Sequence, residues 1–256
     1  MNEHIDMKIS GSSSMPGGEY GSVSISGAGK VNGSLKCEEL HCSGAAKVQG
    51  DVDCAGELRT NGAGKVDGSA RCGSLSASGA FSAQTVQVEG LASVSGSLRT
   101  EQALTADELR ASGSLEAGSV HCRALRSSGS CRVNGDVEAE TAVLSGAVQI
   151  GGLLNAETVE ISVNPAVHIS AIGGGTIRVL QKDTATVLGI FRTSPGCACI
   201  GSIEGDNIEL ENVEAEIVRG KYVRIGHGCR IGTVEYGENL EAEHGTVRQS
   251  TQTGTK

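Results

Sequence analysis

No tryptophan occurs in the 256 residues, and phenylalanine (2), tyrosine (3) and proline (3) are nearly as scarce. So few rings leave no material for the aromatic-rich core of an ordinary compact domain, nor for a platform that stacks bases or sugars. Cationic residues are also short: 21 Lys and Arg stand against 30 Asp and Glu, a net charge of −9. That balance argues against the clustered basic face that phosphate backbones require. No run approaches the ~18 consecutive apolar residues that cross a bilayer. Met1 to Ile9 lacks the basic start and apolar centre of a signal peptide, so a cytoplasmic location is the expectation. The nine cysteines include no Cys-x-x-Cys pair of the zinc-site type, and the 38 glycines keep no Gly-X-Y period.

What is present is a repeat. A Ser-Gly or Asn-Gly dipeptide begins at Ser26, Ser43, Asn61, Ser78, Ser95, Ser112, Ser128 and Ser145, in steps of 17, 18, 17, 17, 17, 16 and 17 residues. Within each period the small apolar residues form three pairs, each pair two residues apart. Gly29/Val31, Leu35/Cys37 and Leu40/Cys42 are one set; Val148/Ile150, Leu154/Ala156 and Val159/Ile161 are another. Residues two apart share one side of a strand, so each pair predicts a short strand facing a core, and three strands per period predict a three-sided coil. No segment keeps a 3.6-residue period, and glycine recurs inside every repeat, which excludes helical repeats. The fold class is therefore all-β, a three-sided parallel β-helix (solenoid) of about 17 residues per coil, with glycine at the corners expected to supply positive φ.

The expected inward ladder contains Val31, Val48 and Val66 on one face, Cys37, Cys54 and Cys72 on another, and Ile150 and Ile161 further on. Its cysteines read as small reduced core residues about 4.8 Å apart, the strand spacing. Composition divides the chain into a flexible leader at 1–19, N-terminal coils at 20–163, an insertion at 164–202, C-terminal coils at 203–247 and a disordered tail at 248–256. Asn164-Pro165 breaks the rhythm, because proline removes a ladder donor. Thr176 to Leu180 and Ala185 to Phe191 read as the arms of a hairpin. From Ile208 the two-apart pairs return, in steps of five and six residues.

The run Val218-Arg-Gly-Lys-Tyr-Val-Arg-Ile-Gly-His-Gly-Cys-Arg-Ile-Gly-Thr-Val-Glu-Tyr236, together with Ile203 to Val213 and the Gly-rich coils before it, resembles the bactofilins, polymer-forming bacterial cytoskeletal proteins, and among them the longer Gram-positive type. The resemblance implies a right-handed β-helix that assembles end to end into filaments without nucleotide, and a scaffold role in cell shape, envelope organisation or motility. Self, or a related chain, is the implied partner, with envelope or motility proteins as further ones. Family members often attach to membranes through a short N-terminal segment. The leader here lacks a clear apolar anchor, so membrane association stays open.

An open coil end exposes unpaired backbone groups that template another chain. The candidate C-terminal assembly surface is Val223, Ile225, Ile231, Val234, Tyr236 and Leu240. Two alternatives are a monomeric or closed-oligomer β-helix that binds a protein along one face, and a hexapeptide-type acyltransferase. The latter rests on Ile225-Gly-His-Gly-Cys-Arg-Ile231, with His227 as a general base. Cys197 and Cys199 with Cys229 and His227 offer a weak zinc spacing. The carboxylates Glu38, Glu39, Glu209 and Glu211 fall at outward or corner positions, and Gly173-Gly-Gly175 lacks the Lys of a phosphate loop. The reading is non-enzymatic, with no catalytic residue, cofactor or metal assigned.

Overall fold

The computed structural model describes residues 5–181, 196–243 and 246–253. These form 22 strands and no helix, in about 14 turns of a parallel β-solenoid. The chain divides into two compact units, Met1–Leu125 and Arg126–Lys256. In each, three faces follow one another along the chain. The first face comes just after the corner that carries Ser-Gly in the repeats, the third just before it.

In the first unit the first face stacks Met15, Val31, Val48 and Val66 in register. The second stacks Cys37, Cys54, Cys72 and Val88. The third runs Ile9, Ile25, Cys42, Thr60 and Ala77. Parallel pairing with a period-2 side-chain alternation puts these residues inside and their neighbours outside. Val31, Val48, Val66, Cys37, Cys54 and Cys72 are all buried. Each fully buried Val or Leu contributes roughly 1.5–3 kcal/mol of transfer energy, so the column gains stability rung by rung. Among the described residues Phe81 is the one large ring inside; it lies opposite Gly64, where a Cβ would press on Cδ2 of the ring at 3.0 Å.

In the second unit the first face stacks Val133, Ile150, Ile169, Ile200, Ala215, Ile231 and Val247. The third stacks Leu144, Ile161, Val179, Leu210, Ile225 and Ala242. Ile150 and Ile161 are buried. From Ile200 the rungs advance by 15, 16 and 16 residues, the sums of the five- and six-residue steps read from the sequence.

Four expectations need correction. The glycines of the Ser-Gly corners are present for closeness rather than for φ: among them only Gly146 has a positive φ, of 87°. The described part of the leader is not free chain, because Met7–Ile9 and Ser12–Ile25 are strands. Met7 and Ile9 take the slots opposite Val23 and Ile25, and Pro-Gly-Gly is a tight corner where a Cβ on Gly17 would sit 2.5 Å from Ser34 O.

The insertion is largely coil. Val167–Leu180 pairs in parallel with Ala147–Ser162 on one side and with Ala198–Leu210 on the other. Thr176 to Leu180 is thus third-face strand; the other expected hairpin arm, 185–191, lies outside the described residues. Pro165 is accommodated because it occupies a corner, where the Asn164 side chain replaces the ladder. Its Nδ2 donates to Gly146 O at 2.7 Å, and its Oδ1 accepts from Ala166 N at 2.9 Å. The polar tail also adds a strand, Val247–Gln252, with Val247 opposite Ile231. A parallel edge offers backbone hydrogen bonds to any sequence, so apolar pairs were not required there.

Candidate assembly interface

The ladder has two exposed edges within the described residues. The first belongs to Met7–Ile9 and the start of Ser12–Ile25, each paired on one side only. Met7 is half-buried, Lys8 exposed and Ile9 buried, and Ile5 next to them is exposed. Asp6 is tied down, its carboxylate accepting from Ser22 N at 2.7 Å. The edge is therefore ordered, with apolar residues at its inward slots.

The other edge differs from expectation. Val223, Ile225, Ile231 and Val234 are buried inside the second unit. They are covered because Arg230–Ala242 lies over Val223 and Ile225, and Val247–Gln252 over Ile231 and Val234. Tyr236 and Leu240 alone of the six are partly exposed. Val247–Gln252 covers the first and second faces and stops short of the third. Glu238, Asn239, Leu240, Glu241 and Ala242 consequently have no strand on their outer side among the described residues. This acidic step, with Leu240 and Ala242 at its inward slots, is the open C-terminal edge among the described residues. Sequence reasoning included Leu240 but missed Met7 and Ile9, although Met7/Ile9 is itself a two-apart pair of the kind used elsewhere.

Away from the edges, cross-rung ion pairs run along the outer faces: Lys221 to Asp206 at 2.8 Å, Arg219 to Glu235 at 2.7 Å, Arg224 to Glu209 at 2.9 Å. Fully exposed pairs of this kind add little to stability, since solvent screens them. On the first face of the first unit Lys30, Lys47 and Lys65 stack in register beside Ala28, Ala45 and Ala63, along a shallow groove of about 540 Å³. Asp67 partly offsets their repulsion, at 3.1 Å from Lys47 and 3.7 Å from Lys65. The corresponding face of the second unit lines Arg132, Gln149, His168, Cys199, Glu214 and Arg230 along a depression of about 1040 Å³.

The zinc spacing does not converge. Cys229 points into the core while Cys199 points out, and no cluster of three or more His, Cys, Asp or Glu fit for a metal occurs among the described residues. His227 pins a corner, with Nε2 3.3 Å from Asn212 Nδ2 and Nδ1 4.0 Å from Glu211. Glu209 is committed to Arg224. Gly173-Gly-Gly175 is part of a strand, where a Cβ on Gly174 would collide with Ala156 O.

All nine cysteines are free thiols. Cys37, hydrogen-bonded to Cys54 and buried, is pushed up, and burial pushes Cys72 up to about 12, so Cys72 stays a thiol at neutral pH. Cys199 is exposed and Cys197 half-buried. A maleimide pulse on native protein is expected to label Cys199 first and Cys197 more slowly, leaving the seven buried thiols for unfolded protein. Peptide mass spectrometry checks this, and early labelling of Cys54 or Cys72 would contradict the inward slots.

Residues 2–83 match the bactofilin family model, described as polymer-forming cytoskeletal. The match falls on the N-terminal coils and not on the 203–236 wording. The chain is 38% identical over 103 residues to the uncharacterized protein YhbF of Bacillus subtilis (strain 168), which covers 40% of this chain and 42% of YhbF. It is 36% identical over 110 residues to the uncharacterized protein YhbE of the same organism, covering 42% and 44%. The chain thus spans less than half the length of the curated relatives it matches. No solved structure matches it significantly.

Proposed function

We propose, from the premise that residues 2–83 form a bactofilin segment, that this chain is a cytoplasmic scaffold protein whose terminal coils join copies into filaments without nucleotide. The observation that carries the reading is the pair of one-sided ladder edges, at Met7–Ile9 and at Leu240–Ala242, each with ordered backbone and apolar inward slots. A docked coil gains ladder hydrogen bonds of about 0.5–1.5 kcal/mol net apiece. Their sum over one coil is of the same order as the roughly 4–15 kcal/mol cost of association. Assembly is therefore steeply sensitive to concentration and to a single charge at the edge. Scaffold roles in cell shape, envelope organisation or motility follow from such a polymer, with protein partners docking on its flat outer faces. The chemistry is structural rather than catalytic. No helix among the described residues is long and apolar enough to cross a membrane.

The test is negative-stain electron microscopy with sedimentation velocity on the purified, untagged chain without nucleotide, over a range of salt and protein concentrations. Unbranched filaments one coil wide are expected. A monomer at every concentration would sink the reading.

A further inference from the structure

We infer that the first face of the first unit seats one kind of partner, an amphipathic helix with an acidic stripe, laid across the rungs in the groove beside Lys30, Lys47 and Lys65. Such a seat rests only on the partner docking in the reading above, not on whether copies join. The lysine row is the anomaly that points to it. Several outward cations elsewhere meet a carboxylate on the neighbouring rung: Lys36 meets Glu19 at 3.2 Å, Arg123 meets Asp107 at 2.9 Å and Arg219 meets Glu235 at 2.7 Å. Lys30, Lys47 and Lys65 instead sit directly opposite one another at the strand spacing of about 4.8 Å, a like-charge alignment that costs stability. Among the described residues Asp67 alone pairs with the row, shared between Lys47 and Lys65, and Lys30 has no partner. The row thus keeps a net positive charge in a chain whose own net charge is −9.

The floor of the groove permits close approach. Ala28, Ala45, Ala63 and Ala80 stand outward and exposed in one in-register column, two residues before the lysine row. Ser12 continues the column on one side and Ser97 on the other. Nothing longer than a methyl or hydroxymethyl group projects from it over these six rungs, a length of about 24 Å. The backbone of this face is already paired from rung to rung, so it has no ladder positions left for an extended peptide. An occupant must bring side chains, apolar ones for the floor and anionic ones for the row.

Spacing selects a helix. Two rung steps carry Lys30 to Lys65 over about 9.6 Å. Carboxylates at i, i+4 and i+7 of an α-helix span about 10.5 Å on one side, a mismatch that flexible lysine side chains absorb. A strand laid the same way repeats on one side every 6.6–7 Å or so and spans about 13 Å over three such residues, so it falls out of step. In heptad terms, apolar residues at a and d cover the alanine column while Glu at e or g faces the lysines. The corresponding row of the second unit, from Arg132 to Arg230, is interrupted by Gln149, His168, Cys199 and Glu214, so no comparable row of like charge forms there.

The probe is a fluorescein-labelled synthetic helix of three heptads, with Leu at a and d and Glu at e and g, where like charges keep it from pairing with itself. Fluorescence anisotropy on the full chain is expected to show saturable binding, and a peptide with Lys in place of each Glu is expected not to bind. Lys30→Gln/Lys47→Gln/Lys65→Gln should weaken binding at least tenfold. Ala45→Lys/Ala63→Lys should weaken it as much although it adds positive charge, because it fills the floor. All five positions are exposed, so circular dichroism should match the parent. Tighter binding by the Ala45→Lys/Ala63→Lys chain would reduce the site to surface charge and overturn the groove, as would equal binding of a scrambled peptide of the same composition. A parent chain that ignores the peptide but sediments with phosphatidylglycerol vesicles would overturn the helix in favour of a membrane surface, and one that binds neither would overturn the seat. Electron microscopy of the same preparation separates the two readings: filaments without peptide binding would remove the seat alone, and peptide binding without filaments would remove the assembly alone.

Discussion

Val66→Asp is expected to abolish the cooperative unfolding transition of the first unit. Val66 is 4% exposed and stacks on Val48 in the first-face column. An aspartate there places a carboxylate among apolar side chains with no cation in the column to meet it. Leaving such a group unpaired costs several kcal/mol, or forces it to take up a proton. Domains of this size hold about 5–15 kcal/mol in total, and the loss of one rung also strips neighbouring rungs of ladder partners. Lys65, one residue earlier, points outward and is exposed, so Lys65→Asp should stay folded with its midpoint nearly unchanged. Urea titrations followed by far-ultraviolet circular dichroism measure both. The pair tests register directly, since a one-residue slip exchanges the inner and outer sets. A folded Val66→Asp protein beside an unfolded Lys65→Asp protein would refute the register.

That register was legible because the rule linking residues to faces is local. Val31, Val48 and Val66 recur at a nearly fixed interval, and period-2 alternation assigns them inward without knowledge of the rest of the chain. Cys37, Cys54 and Cys72 follow the same logic. Local rules failed where a strand is held by its neighbour rather than by its own side chains. Ser12-Ser13-Ser14 and the Thr- and Gln-rich residues 249–252 look like loose tails, yet each lies on an edge whose backbone supplies partners for any sequence. Pro165 was misleading for a related reason: its cost depends on whether it sits in a strand or at a corner, and Asn164 makes it a corner. The predicted assembly surface inherited the error at the C-terminus. With residues 248–256 taken as tail, Ile231 and Val234 looked terminal, whereas they are covered and the open step lies at Leu240–Ala242.

Gly79→Ala is expected to destabilise the first unit by about 3 kcal/mol or more, at the upper end of what one added methyl group does in a packed interior. The reason lies in how corners stack. A Cβ on Gly79 would fall far inside van der Waals contact distance of Gly62 O and 2.5 Å from Asn61 O. Both are backbone atoms, and Gly62 in turn lies as close to Gly44, so relief at one corner presses on the next. Ala80 N donates to Gly62 O at 2.8 Å, which means that moving the corner apart also breaks a ladder bond. Gly90, outside this column, and Gly11, which ends it with no described corner beneath, provide the contrast. Gly90 would bring its Cβ no nearer than 3.3 Å to Gly73 O, and Gly90→Ala should cost less than about 1 kcal/mol. Gly11 has nothing within 4 Å and no positive φ, so Gly11→Ala should be neutral or stabilise by about 0.4–1 kcal/mol through the unfolded chain. Thermal and urea midpoints of the three variants rank them. If Gly79→Ala proved as stable as Gly11→Ala, the corners would have room to spare, and close approach could not be the reason that Ser-Gly punctuates the chain every 17 residues. The ranking Gly11, Gly90, Gly79 would instead make the dipeptide a steric requirement of the strand spacing itself: neighbouring rungs can pair at about 4.8 Å only if nothing projects from the corner between them.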